Sequence, residues 1–200
     1  GLPGTSSLPT YFINSLLKES QVEGEKVLVV QMEDGNKKIY EINDVNYPVK
    51  IYKFDDTGDF KKRFGDEIIK FRPNRIIIEF NGTDKIEDLI QKLEDRELKK
   101  LMKLSTIYFV ADSSKLLNNI DNLGYYIIPF IKYSDMIIIN NTEKMKNAEL
   151  KKEINILRGV NPKAFILKVD NKFNLCTKLR QSKVINNGCL KKFKVKLMNL

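Results

Sequence analysis

Acidic and amide side chains recur where apolar runs of the sequence end. Glu33, Glu79 and Asp112 each follow such a run, and Asn140 and Glu143 follow another. Carboxylate and amide groups can hold a hard cation or read a nucleobase through hydrogen bonds. The chain contains no histidine, which excludes Ser-His-Asp and Cys-His catalysis and every histidine-based zinc site.

The first eight residues, Gly-Leu-Pro-Gly-Thr-Ser-Ser-Leu, resemble the start of a phosphate-binding loop of the form GxxGxGK[ST]. Such a loop cradles phosphates with backbone N–H groups, presents a lysine to the outer phosphates and holds Mg²⁺ with a hydroxyl. The stretch that follows places Phe12, Leu16 and Leu17 on one helical face. A glycine-rich opening alone is weak evidence, so the rest of the chain must decide.

Strand and helix patterns alternate along the chain. Runs of β-branched and other apolar residues are typical of strands buried on both faces of a parallel sheet. Helical spacing of apolar residues lies between several of these runs. The alternation predicts an α/β domain with three layers, α/β/α, and a mostly parallel sheet. The predicted strands are 26–31, 48–52, 75–80, 105–110, 136–140 and 164–168, and the predicted helices include 60–71, 86–93 and 150–157.

Taken in order, five short motifs resemble those of the GTPase domain of the CobW/HypB/UreG family, and most closely its CobW branch. The resemblance covers roughly residues 1–168 and implies a P-loop NTPase-like fold. It implies nucleotide contacts by Gly1, Gly4, Thr5, Ser6, Ser7, Glu33, Glu79, Gly82, Asp112, Asn140 and Glu143, and we assign no catalytic residue. The motifs are Glu33-Asp34-Gly35, Ile76–Gly82, Val110–Asp112, Asn140–Glu143, and Leu157-Arg158 with Asn161–Ala164.

The departures from the family pattern lie in the loop. Ser6 and Ser7 stand where the family has glycine and lysine, and Leu8 stands where it has the Mg²⁺-binding Ser or Thr. Ser7 supplies no charge against a triphosphate, and leucine cannot ligate a hard cation. Phosphoryl transfer depends on positioning and charge neutralisation, so these changes predict little or no hydrolysis.

The segment Asn140–Glu143 has two readings. It could read a guanine base, with Asn141 replacing the family lysine and Glu143 replacing the family aspartate. It could instead terminate a strand and cap a helix that begins near Lys144. The residues alone leave both readings open.

The Cys-x-Cys-Cys motif of CobW proteins is absent, because residues 51–59 contain no cysteine. Asp55, Asp56 and Asp59 in that stretch are better read as helix caps than as ligands, so we expect no metal site. Cys176 and Cys189 have no recognised metal spacing and are expected to be free thiols. Two cysteines do not make a disulfide framework, which favours a reducing, cytoplasmic location.

Residues 171–200 carry eight basic side chains and no acidic one. Subtracting those eight from the 35 basic residues leaves 27 against 26 acidic ones, so nearly all of the net charge of +9 belongs to this segment. We therefore divide the chain into a degenerate CobW-like domain, 1–170, and a basic extension, 171–200. Alternation of Lys194 and Lys196 with apolar residues predicts an edge strand in the extension.

A phosphate-binding loop normally follows a central buried strand, and no predicted strand precedes this one. Either that strand lies before Gly1 or another segment takes its place. Residues 192–197 are a candidate, although their lysines favour a sheet edge over its centre.

These observations predict a nucleotide-binding domain with little or no hydrolysis that acts as a regulatory or assembly subunit beside a protein partner or an intact homologue. The family resemblance implies metal-cofactor or cobalamin metabolism. We assign no cofactor with certainty; GTP or GDP with Mg²⁺ is the candidate. The alternatives are a weak GTP-binding enzyme, or a module that binds nucleic acid or an acidic partner through 172–196. No apolar run approaches the ~20 residues that a membrane span needs.

Overall fold

The computed structural model describes residues 8–20, 22–32, 49–53, 60–80, 85–182 and 189–198. Strands and helices alternate along these ranges, as the apolar patterns predict. In chain order they are α1 Leu8–Ser20, β1 Val27–Gln31, β2 Val49–Lys53, α2 Phe60–Phe71, β3 Arg75–Glu79, α3 Ile86–Leu93, α4 Arg96–Leu101, β4 Tyr108–Asp112, α5 Ser113–Tyr133, β5 Met136–Asn140, α6 Asn147–Val160, β6 Phe165–Lys168, α7 Leu175–Gln181 and α8 Cys189–Met198.

The strands form two parallel sheets of three strands each, in the orders β2-β1-β3 and β4-β5-β6. Val27 lies opposite Arg75 in the first sheet, and Met136 lies opposite Tyr108 in the second. Every residue of the central strands β1 and β5 is buried. All six predicted strands are present and parallel, so this part of the sequence-based prediction is confirmed.

Helices cover both faces of the sheets in three layers, as predicted. On one face, α1 packs Ile13 and Leu17 against β1, and Phe12 and Leu16 against β5. Helices α2, α3 and α4 cover the opposite face of the first sheet, and α5 and α6 cover that of the second. Among the helices within the described ranges, none combines the length and apolar content needed to cross a membrane.

Asn161 fixes the junction between α5, α6 and the second sheet. Its amide nitrogen donates to the carbonyl oxygens of Ile131 at 2.9 Å and Ser134 at 2.8 Å. Its amide oxygen accepts from the backbone N–H groups of Lys163 and Ala164, both at 3.2 Å. The Asn161–Ala164 motif therefore has a structural role in this chain.

The predicted edge strand at 192–197 is wrong, because this segment lies within the helix α8. Lys191 and Val195, one helical turn apart, form its inward face. The Lys191 ammonium lies 3.0 Å from the Glu25 carboxylate, whose side chain is 1% exposed. Because a lysine occupies a core-facing position, the apolar pattern of the sequence shows period two and conceals the helical repeat.

The basic extension also shares the core of the preceding residues. Leu175 and Leu179 of α7 belong to one apolar cluster with Phe12 and Leu16 of α1. Arg180 adds a bidentate ion pair to Glu19, with both nitrogen–oxygen distances at 2.8 Å.

Candidate functional site

Polar residues end three of the strands at the same edge of the two sheets. Parallel strands bring their carboxyl ends together, and ligands of open α/β sheets bind outside those ends. Glu79 ends β3, Asp112 ends β4 and Asn140 ends β5. These three predicted site residues therefore lie at the edge where the fold class places binding sites.

Glu79 is held by two neutral side chains. Its Oε2 accepts from the Gln31 amide at 2.6 Å, and its Oε1 accepts from the Thr10 hydroxyl at 3.3 Å. Thr10 and Gln31 are both buried. The contact with Thr10 places the start of α1 beside the carboxyl end of β3.

Asp112 forms the N-terminal cap of α5. Its Oδ1 accepts from the backbone N–H of Ser114 at 3.0 Å and from the Ser114 hydroxyl at 2.7 Å. Its Oδ2 accepts from the Asn141 amide at 2.9 Å. A polar cap of this kind satisfies the free N–H groups of the first helical turn, so Asp112 has an evident structural role.

Asn140 is 4% exposed, and its Oδ1 has no hydrogen-bond partner within the described residues. Side chains alternate along a strand, so Asn140 lies on the same face as Met136 and Ile138, which pack against α1. A buried polar atom without a partner costs free energy and calls for an explanation, such as a ligand. Among the predicted site residues that the structure describes, Asn140 carries this signal.

Glu143 contacts the segment that follows β6. Its Oε2 accepts from the Asn171 amide at 2.9 Å. Residues Thr142–Lys144 form a short 3-10 turn, and α6 begins at Asn147 after Lys146. The second reading of Asn140–Glu143 is confirmed in part: β5 ends at Asn140, as predicted. The predicted helix cap near Lys144 is wrong, because Asn141 makes no side-chain cap and α6 begins at Asn147.

A buried carboxyl group that the sequence did not single out lies behind Asp112. Glu153 of α6 is 0% exposed, and its Oε2 accepts from the Ser113 hydroxyl at 2.5 Å. Burial raises the pKa of Glu153, the Ser113 hydrogen bond opposes that rise, and the charge of Asp112 adds to it. The sequence did not predict that Glu153 is buried. The helical spacing of Ile154 and Leu157 identifies the apolar face of α6, but it does not show whether a neighbouring polar residue is buried.

Several predicted site residues lie outside the described residues. Leu8, the first residue of α1, is described, and the phosphate-binding residues ahead of it are not. Asp55, Asp56 and Asp59 also lie outside the described residues. The other predicted site residues that lie outside the described residues are Gly1, Gly4, Thr5, Ser6, Ser7, Glu33 and Gly82.

Within the described ranges, no group of three or more His, Cys, Asp and Glu side chains could hold a metal ion. The carboxylate of Glu79 is bonded to a hydroxyl and an amide, and α1 begins with an apolar residue. Cys176 is a free thiol, as predicted.

Among the described residues of 171–200, three basic side chains pair with carboxylates of the chain itself. Lys178 pairs with Asp170 at 3.5 Å, Arg180 with Glu19 at 2.8 Å, and Lys191 with Glu25 at 3.0 Å. These pairs reduce the positive charge that the extension offers to a nucleic acid or an acidic partner.

Comparison with known families agrees with this arrangement of strands and polar edges. The profile of the CobW/HypB/UreG nucleotide-binding domain matches residues 14–168. The chain belongs to the CobW/HypB/UreG family. The predicted family and the P-loop NTPase-like fold are thereby confirmed, and the matched region is a nucleotide-binding domain by family. No protein with a curated description matches the chain.

The chain is similar in structure to the Zn(II)-bound YjiA GTPase from E. coli, with a TM-score of 0.60 and 16% sequence identity. The similarity covers 78% of this chain and 52% of that one, so the chain spans about half the length of the solved protein that it matches. At this identity the similarity establishes the fold, and the CobW/HypB/UreG assignment rests on the sequence profile.

Proposed function

We propose that this CobW/HypB/UreG domain retains a nucleotide-binding fold but hydrolyses little or no nucleotide, and acts as a regulatory or assembly subunit. The observation that carries the proposal is the start of α1. Leu8 occupies its first position, and the neighbouring Glu79 carboxylate is bonded to the neutral Thr10 and Gln31 side chains.

Hydrolysis requires that the charge developing on the phosphates be neutralised. The partners of Glu79 and Asp112 are hydroxyl, amide and backbone groups, and none of them carries a positive charge. The loop sequence adds only serine and threonine hydroxyls where the family pattern has its lysine. Weak binding without turnover is the behaviour that this set of side chains supports.

Asn140 supports retained recognition of a base. Its amide is buried at the carboxyl end of β5, on the face that α1 covers, and its Oδ1 lacks a partner within the described residues. A purine edge offers donors and acceptors at this kind of position. Recognition by Glu143 is less favoured, because Asn171 already donates to that carboxylate.

Titration calorimetry with GDP and with GTPγS, each with and without Mg²⁺, tests this proposal. We expect binding in the millimolar range, about 4 kcal/mol of binding free energy, with little dependence on Mg²⁺. Phosphate release from GTP should not exceed the rate without protein. Mg²⁺-dependent binding a hundredfold tighter, or steady GTP turnover, would contradict it.

A double variant makes the test sharper. Ser7→Lys with Leu8→Thr restores the charge and the hydroxyl of the family pattern, and should strengthen GTPγS binding and make it depend on Mg²⁺. Ser7→Ala with Leu8→Val changes the same positions without supplying either group and should leave binding unchanged. Equal GTPγS binding by the two variants would show that residues 7 and 8 do not limit nucleotide binding by the domain.

A weak GTPase is the second candidate, and one observation favours it. The Thr10 hydroxyl and the Glu79 carboxylate, 3.3 Å apart, supply two hard oxygen atoms at the start of α1. If these oxygens serve turnover, Glu79→Gln should abolish a measurable GTPase rate, whereas Glu23→Gln at an exposed position should not. The absence of GTP turnover in the parent chain removes this candidate.

The regulatory or assembly role, and its link to metal-cofactor or cobalamin metabolism, come from the family and remain proposals. Exposed apolar side chains on α5 support a protein partner, because such surfaces often mark interaction sites. Sedimentation of the chain mixed with an intact CobW-family GTPase should show a complex that Tyr125→Lys weakens and Lys115→Gln leaves intact. The exposed apolar side chains of α5 include Leu123, Tyr125, Tyr126 and Ile128.

A further inference from the structure

The second sheet has an open outer edge. Strand β6, Phe165–Lys168, pairs with β5 on one side and with no other strand within the described residues. Phe165 is 48% exposed, whereas every residue of the central strand β5 is buried. An open edge presents unpaired N–H and C=O groups, and an extended peptide can add to such an edge as a further strand.

The backbone groups that face outward follow from the pairing of β6 with β5. The N–H groups of Phe165 and Val169 donate toward β5 at 2.9 and 2.8 Å, so these two residues and Leu167 between them turn their backbone groups to that strand. Alternate residues of a strand point their N–H and C=O groups to opposite sides. The groups of Ile166 and Lys168 therefore face away from the sheet.

The described part of the chain that follows β6 does not cover this edge. Helix α7 turns onto α1 and packs Leu175 and Leu179 into the cluster beneath that helix. Helix α8 lies beside the first sheet, where Lys191 pairs with Glu25 at 3.0 Å. Both helices thus lead away from the outer side of β6.

Basic side chains are concentrated beside the open edge. Residues 1–170 carry 27 of the 35 basic side chains and all 26 acidic ones, but residues 144–168 alone hold seven basic and two acidic ones. All seven basic side chains are exposed, and none forms an ion pair with a carboxylate of the described residues. The near-neutral total for 1–170 therefore conceals a strongly basic surface. Its members are Lys144, Lys146, Lys151, Lys152, Arg158, Lys163 and Lys168.

Helix α6 directs part of this charge over the edge. Its Glu153 accepts from Ser113 of α5, so that flank of α6 faces α5. Lys151, Ile154 and Arg158 are spaced by three and four residues and share another flank, turned away from α5. The connection from β5 through α6 to β6 places the helix over these two strands, and Ile154 packs against their apolar cluster. Lys151 and Arg158 therefore lie on the side of the outer edge.

The two faces of β6 differ in chemistry along this edge. Ile166 packs against the apolar cluster beneath α5 and α6, and Lys168, two residues later, lies on the same face of the strand. Leu167 belongs to the cluster beneath α1 and α7, and the half-exposed Phe165 shares that face. The α6 side of the edge is therefore basic, and the α1 side is apolar.

We propose that the outer edge of β6 binds an extended, acidic segment of a partner protein as a further β-strand. Ile166 and Lys168 supply the backbone hydrogen bonds. Because side chains alternate along a strand, acidic residues of the segment face Lys151 and Arg158 on one side. The apolar residues between them face Phe165 on the other side. The segment thus alternates acidic and apolar residues.

Charge and backbone pairing favour this occupant over two others. A second copy of the chain would bring two basic flanks together, and like charges on paired strands are destabilising. A nucleic acid would contact the basic flank but supplies no strand that pairs with Ile166 and Lys168. The proposal is independent of nucleotide binding and of the exposed surface of α5.

A short peptide tests the proposal on the chain of residues 1–200. The probe is the blocked peptide acetyl-Glu-Val-Glu-Val-Glu-Val-Glu-amide. In one control peptide proline replaces the central valine, which removes a ladder donor, and in the other lysine replaces every glutamate. Hydrogen exchange measured by NMR is followed at Ile166 and Lys168, with the amides of β2, the outer strand of the first sheet, as reference. Saturating probe should slow exchange at the two β6 amides by at least about tenfold and leave β2 unchanged.

A matched pair of double variants tests the contribution of the basic flank. Lys151→Gln with Arg158→Gln removes the two charges over the edge and should raise the dissociation constant of the probe by about fivefold in an NMR titration. Lys152→Gln with Lys115→Gln removes two exposed charges that lie away from the edge and should change it by less than about twofold. Equal weakening by the two double variants would overturn the proposal.

Four further results would also overturn it. One is equal slowing of exchange by either control peptide, and another is a shift of α6 signals without slower exchange at Ile166 and Lys168. A third is exchange at these amides as slow as at Ile138 before any peptide is added, which would mean that the chain or a second copy already covers the edge. The fourth is displacement of the probe by single-stranded oligothymidylate that binds more tightly, which would assign the surface to nucleic acid.

Discussion

The two sheets are built from the same parts, three short parallel strands between helices, yet different chemistry holds their polar groups. At the amino end of the first sheet, Glu25 accepts from Arg75 of β3 and Lys191 of α8, both charged. At the corresponding end of the second sheet, the neutral amide of Asn161 bonds to carbonyl and N–H groups. Ion pairs satisfy the buried Glu25 carboxylate, and hydrogen bonds satisfy the buried Asn161 amide. We therefore expect substitutions of these two residues to destabilise the chain by different amounts and for different reasons.

Glu25→Gln should be the most damaging change, because it removes the buried carboxylate charge that both Arg75 and Lys191 contact. Breaking a buried ion pair by removal of one partner costs about 3–5 kcal/mol. We expect a loss of this size in the free energy of unfolding, measured by urea denaturation, with α8 released first. Glu23→Gln, at an exposed position two residues away, serves as the control. A loss no greater than the control's would show that charge does not hold the first sheet.

Asn161→Ala should be the next most damaging change. It removes three donated and two accepted hydrogen bonds at once, and the carbonyl groups of Ile131 and Ser134 each lose a donor. Unsatisfied buried groups cost about 1–3 kcal/mol each, and partial access to water should limit the total loss to about 3 kcal/mol.

The control for this change is Asn155→Ala, at an exposed position in α6. It should stabilise the chain slightly, because alanine is the better helix former. If Asn161→Ala proved as harmless as its control, the amide would not be what fixes the second sheet.

Glu153→Gln tests a buried acidic group that lies beside the second sheet. Burial raises the pKa of Glu153 in the folded chain above the ordinary value of a glutamate carboxyl in the unfolded chain. The stability that goes with the protonated carboxyl is therefore complete below that value and is lost as the pH rises through the folded pKa. Glutamine, which cannot ionise, avoids this loss.

The variant should match the parent near pH 4 and exceed it at neutral pH, by about 1.4 kcal/mol for each unit by which the pKa is raised. Urea denaturation between pH 4 and pH 8 measures the difference. Asn155→Ala, exposed on α6, removes no titratable group and should give a difference that does not change with pH. A constant difference for Glu153→Gln would show that its carboxyl is ionised in the folded chain.

The sequence predicted the strands because short β-branched runs such as Ile137–Ile139 favour strands that are buried on both faces. It placed Glu79, Asp112 and Asn140 at the carboxyl edge for the same reason, since they follow such runs. It did not predict their partners, because the contacts of Gln31, Thr10 and Asn141 depend on strand register. The sequence did not predict helix α8, because Lys191 faces inward. A lysine at an inward position does not contribute to the apolar periodicity that indicates a helix.

Substitutions of Phe80 and Phe130 should have the smallest effect on the free energy of unfolding. They measure most directly the energetic coupling between the two sheets. Phe80 follows β3 of the first sheet, Phe130 lies on α5 above the second, and their rings stack at 5.9 Å. An aromatic pair contributes about 0.5–1.5 kcal/mol beyond its area burial, and a double-mutant cycle isolates that energy.

Phe80→Leu and Phe130→Leu should therefore show a coupling free energy of about 0.5–1.5 kcal/mol in urea unfolding. Phe80→Leu combined with Phe165→Leu, on the outer strand β6, should be additive because the two positions share no contact cluster. Zero coupling between Phe80 and Phe130 would mean that the sheets are joined by other contacts, such as those of α1 and Ile77. Since α1 packs against both sheets through Phe12 and Ile13, unfolding would then lose cooperativity whenever α1 is weakened, and Phe12→Ala would separate two transitions.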